Sequence, residues 1–309
     1  MDVVDVRDLT KSFGRFTALD GVNFRVRKGE VFGFIGPNGA GKSTTIRVML
    51  GILKATKGDV KLFGKDAWKE AVEIHKRIAY VPGDVNLWPN LTGGEIIDLF
   101  MKLRSTKDRN KSKDLIRKFG LDPTKKCRTY SKGNRQKVAL IAAFSSDAEL
   151  YILDEPTSGL DPLVEQVFQE CIMELKNNEK SILLSSHFLS EVEKLCDKVG
   201  IIKQGKIIES GSLDELRHLT RTHILVKTKQ SISSLNELQG IYNIEETNQE
   251  LRFQVDTEQL DNVISYISQF GILKLESNPP TLEDIFMRHY ENKIAEVMKE
   301  SGGLLNATE

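Results

Sequence analysis

A run of small residues closed by a lysine is the first place in this chain where residue type and spacing point to chemistry. Gly36, Pro37, Asn38, Gly39, Ala40, Gly41, Lys42 and Ser43 fit the pattern G-x-x-x-x-G-K-[ST]. Glycines let successive backbone N–H groups curl around phosphate oxygens without Cβ clashes, and a helix starting at the lysine adds partial positive charge. In such a loop Lys42 reaches the β- and γ-phosphates and the Ser43 hydroxyl binds Mg²⁺. Thr44 and Thr45 offer two further hydroxyl donors. Farther along, residues 151–155 read Tyr-Ile-Leu-Asp-Glu. Asp154 stands where a strand-end acid holds the Mg²⁺ shell. Glu155 follows at the carboxyl end of that strand, where open α/β sheets bind ligand, and can take a proton from a water attacking in line. The bland alternatives are a glycine-rich turn and a solvated acidic turn. The second does not account for the Pro156, Thr157, Ser158, Gly159, Leu160 and Asp161 that follow.

These residues need strands to hold them. Residues 31–35 form a short apolar run ending at Gly36, which predicts a buried strand, and 42–50 carry a helical pattern. Residues 150–153 and 181–185 predict two more buried strands, and 199–202 with 206–210 a hairpin across Gln204 and Gly205. Residues 3–9 and 22–26 alternate as exposed or edge strands do. Strands alternating with helices imply an α/β domain with a largely parallel sheet. Near Thr220 the texture changes to strand 224–228, helix 232–238, strands 242–247 and 251–255, helix 260–270 and strand 272–276, the βαββαβ order of a ferredoxin-like α+β unit. Asn278, Pro279 and Pro280 stop it; Thr281 then caps a helix expected over 282–299. The expected division is an α/β domain over 1–220, a small accessory domain over 221–300 and a disordered tail over 301–309.

Composition bounds the rest. The 309 residues suggest about two domains at roughly 100–200 residues each. Forty-four Lys plus Arg balance forty-four Asp plus Glu, which excludes a generally basic nucleic-acid coat and a strongly acidic tail. No run approaches the roughly 18–20 apolar residues of a membrane span. The opening Met-Asp-Val-Val-Asp lacks the positive and apolar regions of a secretory signal. Cys127, Cys171 and Cys196 form no CxxC pair, which fits a reduced, cytosolic compartment and small buried side chains.

With these residues in order, the first ~220 positions resemble the ATP-binding subunits of ABC transporters, a family of P-loop NTPases. Residues 131–136, Ser-Lys-Gly-Asn-Arg-Gln, look like the family's signature motif, usually written LSGGQ. Residues 158–161, Ser-Gly-Leu-Asp, look like its D-loop, and His187 looks like its switch histidine. Phe13 stands where the family has an aromatic that stacks on adenine; the neighbouring Phe16 is the other candidate. The resemblance implies nucleotide contacts from Phe13, Ser131, Gly133, Asn134 and Asp161, with Glu155 and His187 catalytic, and Ser43 and Asp154 on Mg²⁺. It implies an ATPase whose two copies, or two related subunits, meet head to tail around two ATP molecules. Ser131 and Gly133 precede an expected helix, 136–144, and such an end attracts phosphate. The coupled partner is a separate membrane permease, which puts the chain on the cytoplasmic face of the cell membrane with no nucleic-acid partner. Residues 280–286, Pro-Thr-Leu-Glu-Asp-Ile-Phe, resemble a segment of ABC-2 type drug and antibiotic exporters, so export is the expected direction.

Two departures stand out. Where the family places a Gln after the strand near 80–82, this chain has Gly83, then Asp84. Either Asp84 or a water replaces that contact to the metal, or the loop serves as a mechanical joint; Glu155 and His187 remain to support hydrolysis. Lys132 stands where a Gly is usual and Asn134 where a Gln is usual, as in related exporter subunits. Leu87 and Trp88 either help form a groove for the permease or pack at a helix start capped by Thr92. The alternative function is a soluble ABC-type ATPase acting on ribosomes or DNA. One phosphate loop, no sustained heptads over 53–148 and neutral charge weigh against it. A nucleotide-binding module without catalysis conflicts with Glu155.

Overall fold

Two long strands open the chain in a computed structural model that describes residues 1–104, 109–218, 221–232, 234–247 and 250–278. β1 (Asp2–Phe13) and β2 (Phe16–Arg27) pair antiparallel, and alternation buries Val4, Val6 and Leu9 of the first and Val22, Phe24 and Val26 of the second. After β3 (Val31–Ile35) and α1 (Lys42–Met49), β4 (Lys57–Leu62) and the two-residue β5 (Lys65–Asp66) complete an antiparallel sheet ordered β2-β1-β4-β5. β2, which holds residues 22–26, is therefore an edge strand as expected, and β1 is not. Its alternation reflects one covered face, not a free flank.

The chain continues through α2 (Ala71–His75), β6 (Ile78–Val81), α3 (Gly93–Leu103), α4 (Arg109–Lys118), α5 (Lys132–Phe144), β7 (Leu150–Asp154), α6 (Pro162–Asn177), β8 (Ser181–Ser186), α7 (Leu189–Leu195), β9 (Lys198–Lys203) and β10 (Lys206–Ser212). A six-stranded sheet runs β10-β9-β3-β8-β7-β6, and its five strands from β9 to β6 pair in parallel. β3, β7 and β8 are buried at every residue, as expected of parallel strands covered on both faces. Gln204 and Gly205, with φ of 49° and 77°, turn β9 into β10; positive φ at both positions suits a two-residue hairpin. Between the two sheets Phe24 stacks on Phe32 and Phe34 with centroids 5.4 and 5.2 Å apart, and α1 adds Ile46 and Met49. On the other face of the parallel sheet Phe144 of α5 meets Phe119, Tyr151 and Phe168 at centroid distances of 6.3, 6.3 and 6.1 Å.

The chain divides into two compact units, Met1–Gly211 and Ser212–Glu309. In the second, α8 (Leu213–His218) precedes β11 (Arg221–Thr228), β12 (Ile241–Thr247), β13 (Glu250–Asp256), α9 (Leu260–Ser268) and β14 (Ile272–Asn278). The strands form an antiparallel sheet ordered β12-β13-β11-β14, with Ile224, Val226, Phe253, Val255, Val263 and Ile267 as its core. The helix expected over 232–238 is one turn of 3-10 helix at Leu235–Glu237. Ser234 before it has φ of 59°, a left-handed conformation that a right-handed helix cannot pass through. The expected helix 282–299 with its Thr281 cap, the 280–286 segment and the 301–309 tail lie outside the described residues. Among the described residues no helix is long and apolar enough to cross a membrane. Cys127, Cys171 and Cys196 are free and buried.

Candidate active site

Three adjacent strands deliver the site. β3, β8 and β7 run parallel, with Ile35 opposite Ser186 and Asp154 opposite Ser185. Their carboxyl ends release the next residues along one edge of the sheet: the phosphate loop after Ile35, His187 after Ser186 and Glu155 after Asp154.

The loop ends at Gly41, the N-cap of α1, with φ of 114°. A side chain is strained there, and none caps the helix, so the first-turn N–H groups stay available to an anion. The contrast with α3, α5 and α6 is direct. Thr92, Ser131 and Asp161 cap those helices with their own side chains, accepting from Glu95, Asn134 and Val164 N–H respectively. Within the loop Ala40 is buried, Pro37 half-buried, and Asn38 and Gly39 exposed. Lys42, only 5% exposed, donates from Nζ to the carbonyls of Gly36 at 2.6 Å and Pro37 at 3.3 Å. Ser43 and Thr44 are half-buried. Thr45 points inward: it is fully buried and its hydroxyl donates to the Gly41 carbonyl at 3.0 Å, bracing the first turn of α1.

Asp154 is 4% exposed and accepts from the Ser185 hydroxyl. The Glu155 N–H in turn donates to the Ser185 carbonyl at 3.0 Å and hydroxyl at 3.2 Å, so one serine fixes both acids. Glu155 has φ of 47°, a conformation that costs on the order of 1–3 kcal/mol and is held by those bonds. Its carboxylate spans two partners. Oε1 lies 3.3 Å from Lys42 Nζ, and Oε2 lies 3.5 Å from His187 Nδ1. The His187 ring packs on Phe188 with centroids 4.1 Å apart. Phosphate loop, strand-end acids and histidine thus converge on one point.

Gly83 borders the same point. A Cβ built there would meet the Asp154 carbonyl at 3.2 Å and Glu155 Cβ at 3.7 Å. Asp84 is exposed, and its carboxylate accepts from Asn86 Nδ2 at 3.4 Å. Immediately beyond lies an apolar groove of about 320 Å³ lined by Tyr80, Pro82, Val85, Leu87, Ile96, Phe100 and three alanines of α5. Leu87 belongs to it. Trp88 is 55% exposed and does not line it, and Thr92 completes a capping box with Glu95.

The signature residues form a second cluster. Ser131 accepts the Asn134 N–H at 3.3 Å and keeps its own O–H free to donate. Lys132 Nζ donates to Ser158 Oγ at 2.7 Å, and Gly133 lies against Gly159. The Asp161 carboxylate caps α6 and lies 4.0 Å from Lys137 Nζ of α5. Phe13 closes β1, 48% exposed, with Lys11 Nζ over its ring 4.9 Å from the centroid; Phe16, paired with it across the turn, is 67% exposed.

Sequence reasoning missed two residues here. Ser185 was read only as the end of a buried strand, although a serine pair at such an end is itself a polar signal. Glu191 of α7 belongs to no motif, yet it is 6% exposed. Its Oε2 accepts from Ser186 Oγ at 2.8 Å and Thr157 Oγ1 at 3.4 Å. Burial pushes its carboxyl up to about 7, against the lowering effect of those two hydroxyls.

Comparison with known proteins agrees with this geometry. The family described as "ABC transporter" matches residues 19–158, and "ATP-binding protein DrrA1-3-like, C-terminal domain" matches residues 211–290. The ABC transporter ATP-binding protein YhaQ of Bacillus subtilis is 32% identical over 293 residues, covering 92% of this chain and 97% of the relative. The bacitracin transport ATP-binding protein BcrA of Bacillus licheniformis is 32% identical over 301 residues, covering 93% and 96%. A solved structure titled "Structure of ATP binding subunit of ABC transporter" superposes with a TM-score of 0.67 at 32% identity, covering 70% of this chain and 92% of that one. The alternative of a ribosome- or DNA-acting ATPase is not favoured by these matches. Matched along nearly the whole length of two relatives at 32% identity, the chain belongs to the ATP-binding proteins of ABC transporters and is an ATP-hydrolysing transport subunit.

Proposed function

We propose that this chain powers an exporter of the drug and antibiotic class, working as a head-to-tail pair on a separate membrane permease at the cytoplasmic face. The bacitracin transport role in the name of BcrA supports the class. The observation that carries the catalytic reading is the Glu155 carboxylate set between Lys42 and His187. In this reading the phosphate-loop N–H groups and Lys42 bind the β- and γ-phosphates, Lys42 exchanging its Glu155 contact for phosphate oxygen. Glu155 then accepts a proton from water as the water oxygen bonds to Pγ and the bond from Pγ to the bridging oxygen breaks, releasing ADP and phosphate. His187 donates to the γ-phosphate and holds the water. Phe13 stacks on the adenine. Ser131, Gly133 and Asn134 meet the nucleotide of the partner subunit, with Asp161 near that junction.

Ser43 and Asp154 offer one hydroxyl and one carboxylate, a hard-oxygen set that suits Mg²⁺, which keeps waters and phosphate oxygens for its remaining positions. When bound it neutralises charge on the β- and γ-phosphates. The permease docks a short apolar segment in the groove beside Gly83; the lack of a side chain there, where a Cβ would lie 3.2 Å from the Asp154 carbonyl, supports the joint reading of that loop. Size-exclusion chromatography of Glu155→Gln with ATP and Mg²⁺ tests the pairing: a shift to twice the monomer mass is expected, and a monomer at saturating ATP overturns it. Loss of permease co-purification on Leu87→Glu tests the groove; undiminished co-purification rejects it.

A further inference from the structure

We propose that Glu191 is a positioning residue for ATP hydrolysis, its buried carboxylate tying the segment that follows Glu155 to the turn that carries His187. The proposal rests on the roles given to Glu155 and His187 above. Thr157 lies two residues beyond Glu155 and donates to Glu191 Oε2. Ser186 immediately precedes His187 and donates to the same oxygen. The Ser186 hydroxyl also accepts the Phe188 N–H at 3.0 Å, which closes a tight turn around His187. A hydroxyl has one hydrogen to give, and Glu191 takes it. That choice leaves a Ser186 lone pair aimed at Phe188 N–H, so the carboxylate sets the turn that orients the histidine. Without it, the Ser186 hydrogen is free to turn to the Phe188 carbonyl, 3.5 Å away.

The cost of this arrangement argues for a role beyond packing. Glu191 is buried on the helix packed against β8, and its Oε1 makes no hydrogen bond. A half-satisfied buried carboxyl is expensive, and a well-packed apolar residue on this face of α7 would be cheaper. What the carboxyl adds is a two-point bridge between strand ends that carry opposite halves of the chemistry. Misplacing a catalytic group by about 1 Å costs on the order of 100-fold in rate.

Steady-state ATPase kinetics on the full chain test it. Glu191→Ala is expected to lower kcat by roughly 10–100-fold, with KM for ATP held within about twofold, because binding lies with the phosphate loop. Glu191→Gln keeps an accepting oxygen and is expected to restore kcat to within about threefold of the parent. Adding Thr157→Ala to Glu191→Ala is expected to cost nothing further, since both remove one link. Wild-type kcat in Glu191→Ala beside an inactive Glu155→Gln overturns the bridge and leaves the base assignment standing. Wild-type kcat in both variants rejects the base assignment itself. Losses that add in the double variant, no restoration by Gln, or a rise in KM that accounts for the loss also overturn the bridge. If Glu191→Ala does not fold, Ser186→Ala and Thr157→Ala serve in its place: lowered kcat at unchanged KM supports the bridge, and wild-type kcat in both rejects it.

Discussion

A Cβ on Gly133 would lie 2.3 Å from the carbonyl oxygen of Gly159, so the first turn of α5 rests directly on the loop that follows β7. Lys132 strengthens the contact by donating to Ser158 and laying its stem over Gly159. Gly133→Ala should force the two backbones apart and destabilise the protein by about 1–3 kcal/mol, the usual cost of overpacking. Urea denaturation checks this, and a midpoint unchanged from the parent would show that the loops yield freely.

The bridge from Lys42 through Glu155 to His187 predicts two separable defects. Glu155→Gln should cut phosphate release by roughly 100- to 10,000-fold while ATP still binds, since an amide cannot take the proton. Lys42→Ala should instead weaken binding of a fluorescent ATP analogue by at least about tenfold, because a charge-assisted contact to phosphate is lost. Equal losses of binding in both variants would contradict the division of roles.

Glu191 makes stability depend on pH in a stated direction. Burial raises its carboxyl in the folded state to about 7, while Glu165 on α6 adds a like charge; the Cys196 thiol, at the end of α7, is pushed up first by its own burial and then by the Glu191 charge. The folded value lies above the unfolded one, so the stability tied to this proton is full below about pH 4.5 and is lost as pH rises through 7. The loss amounts to about 3 kcal/mol by pH 8.5, at about 1.4 kcal/mol per tenfold change in acidity. Glu191→Gln removes that ionisation, so its urea midpoint should exceed the parent's at pH 8.5 and lose the advantage at pH 5. Parallel midpoints across that range would refute the assignment.

Phe13 and Phe16 offer a clean comparison because both are exposed at one turn. Phe13→Ala should weaken ATP binding by roughly 1–3 kcal/mol, the range for an aromatic stacked on a base, with triphosphate alone binding as before. Phe16→Ala should leave ATP affinity intact; the reverse pattern would move the stacking role to Phe16.

Much of this site was legible because its chemistry is local in sequence. The phosphate loop and Asp154 with Glu155 each occupy one strand end, and buried parallel strands are recognisable as unbroken apolar runs. What escaped was chemistry assembled across strands. Ser185 serves acids on β7 from β8, a relation set by parallel register that no local pattern encodes. Glu191 has the spacing of an ordinary first-turn helix acid, and only packing of α7 on β8 reveals its burial. The alternation of β1 fitted an exposed or an edge strand for a similar reason: it reports one covered face, and the identity of both neighbours is tertiary information. The turn at Leu235–Glu237 was lost as a helix through the left-handed backbone at Ser234, which propensity does not foretell.

A Cβ on Gly83 would lie 3.2 Å from the Asp154 carbonyl, so the bare backbone there lets the loop that borders the groove run beside the strand end that bears Glu155. That loop leaves β6, which is laddered to β7 in parallel with Val81 opposite Leu153. A backbone ladder holds no proton to lose and no charge for salt to screen, so the register between groove and acids is the same at any ionic strength. It resists tension as well as compression, and the two strand ends therefore shift as one.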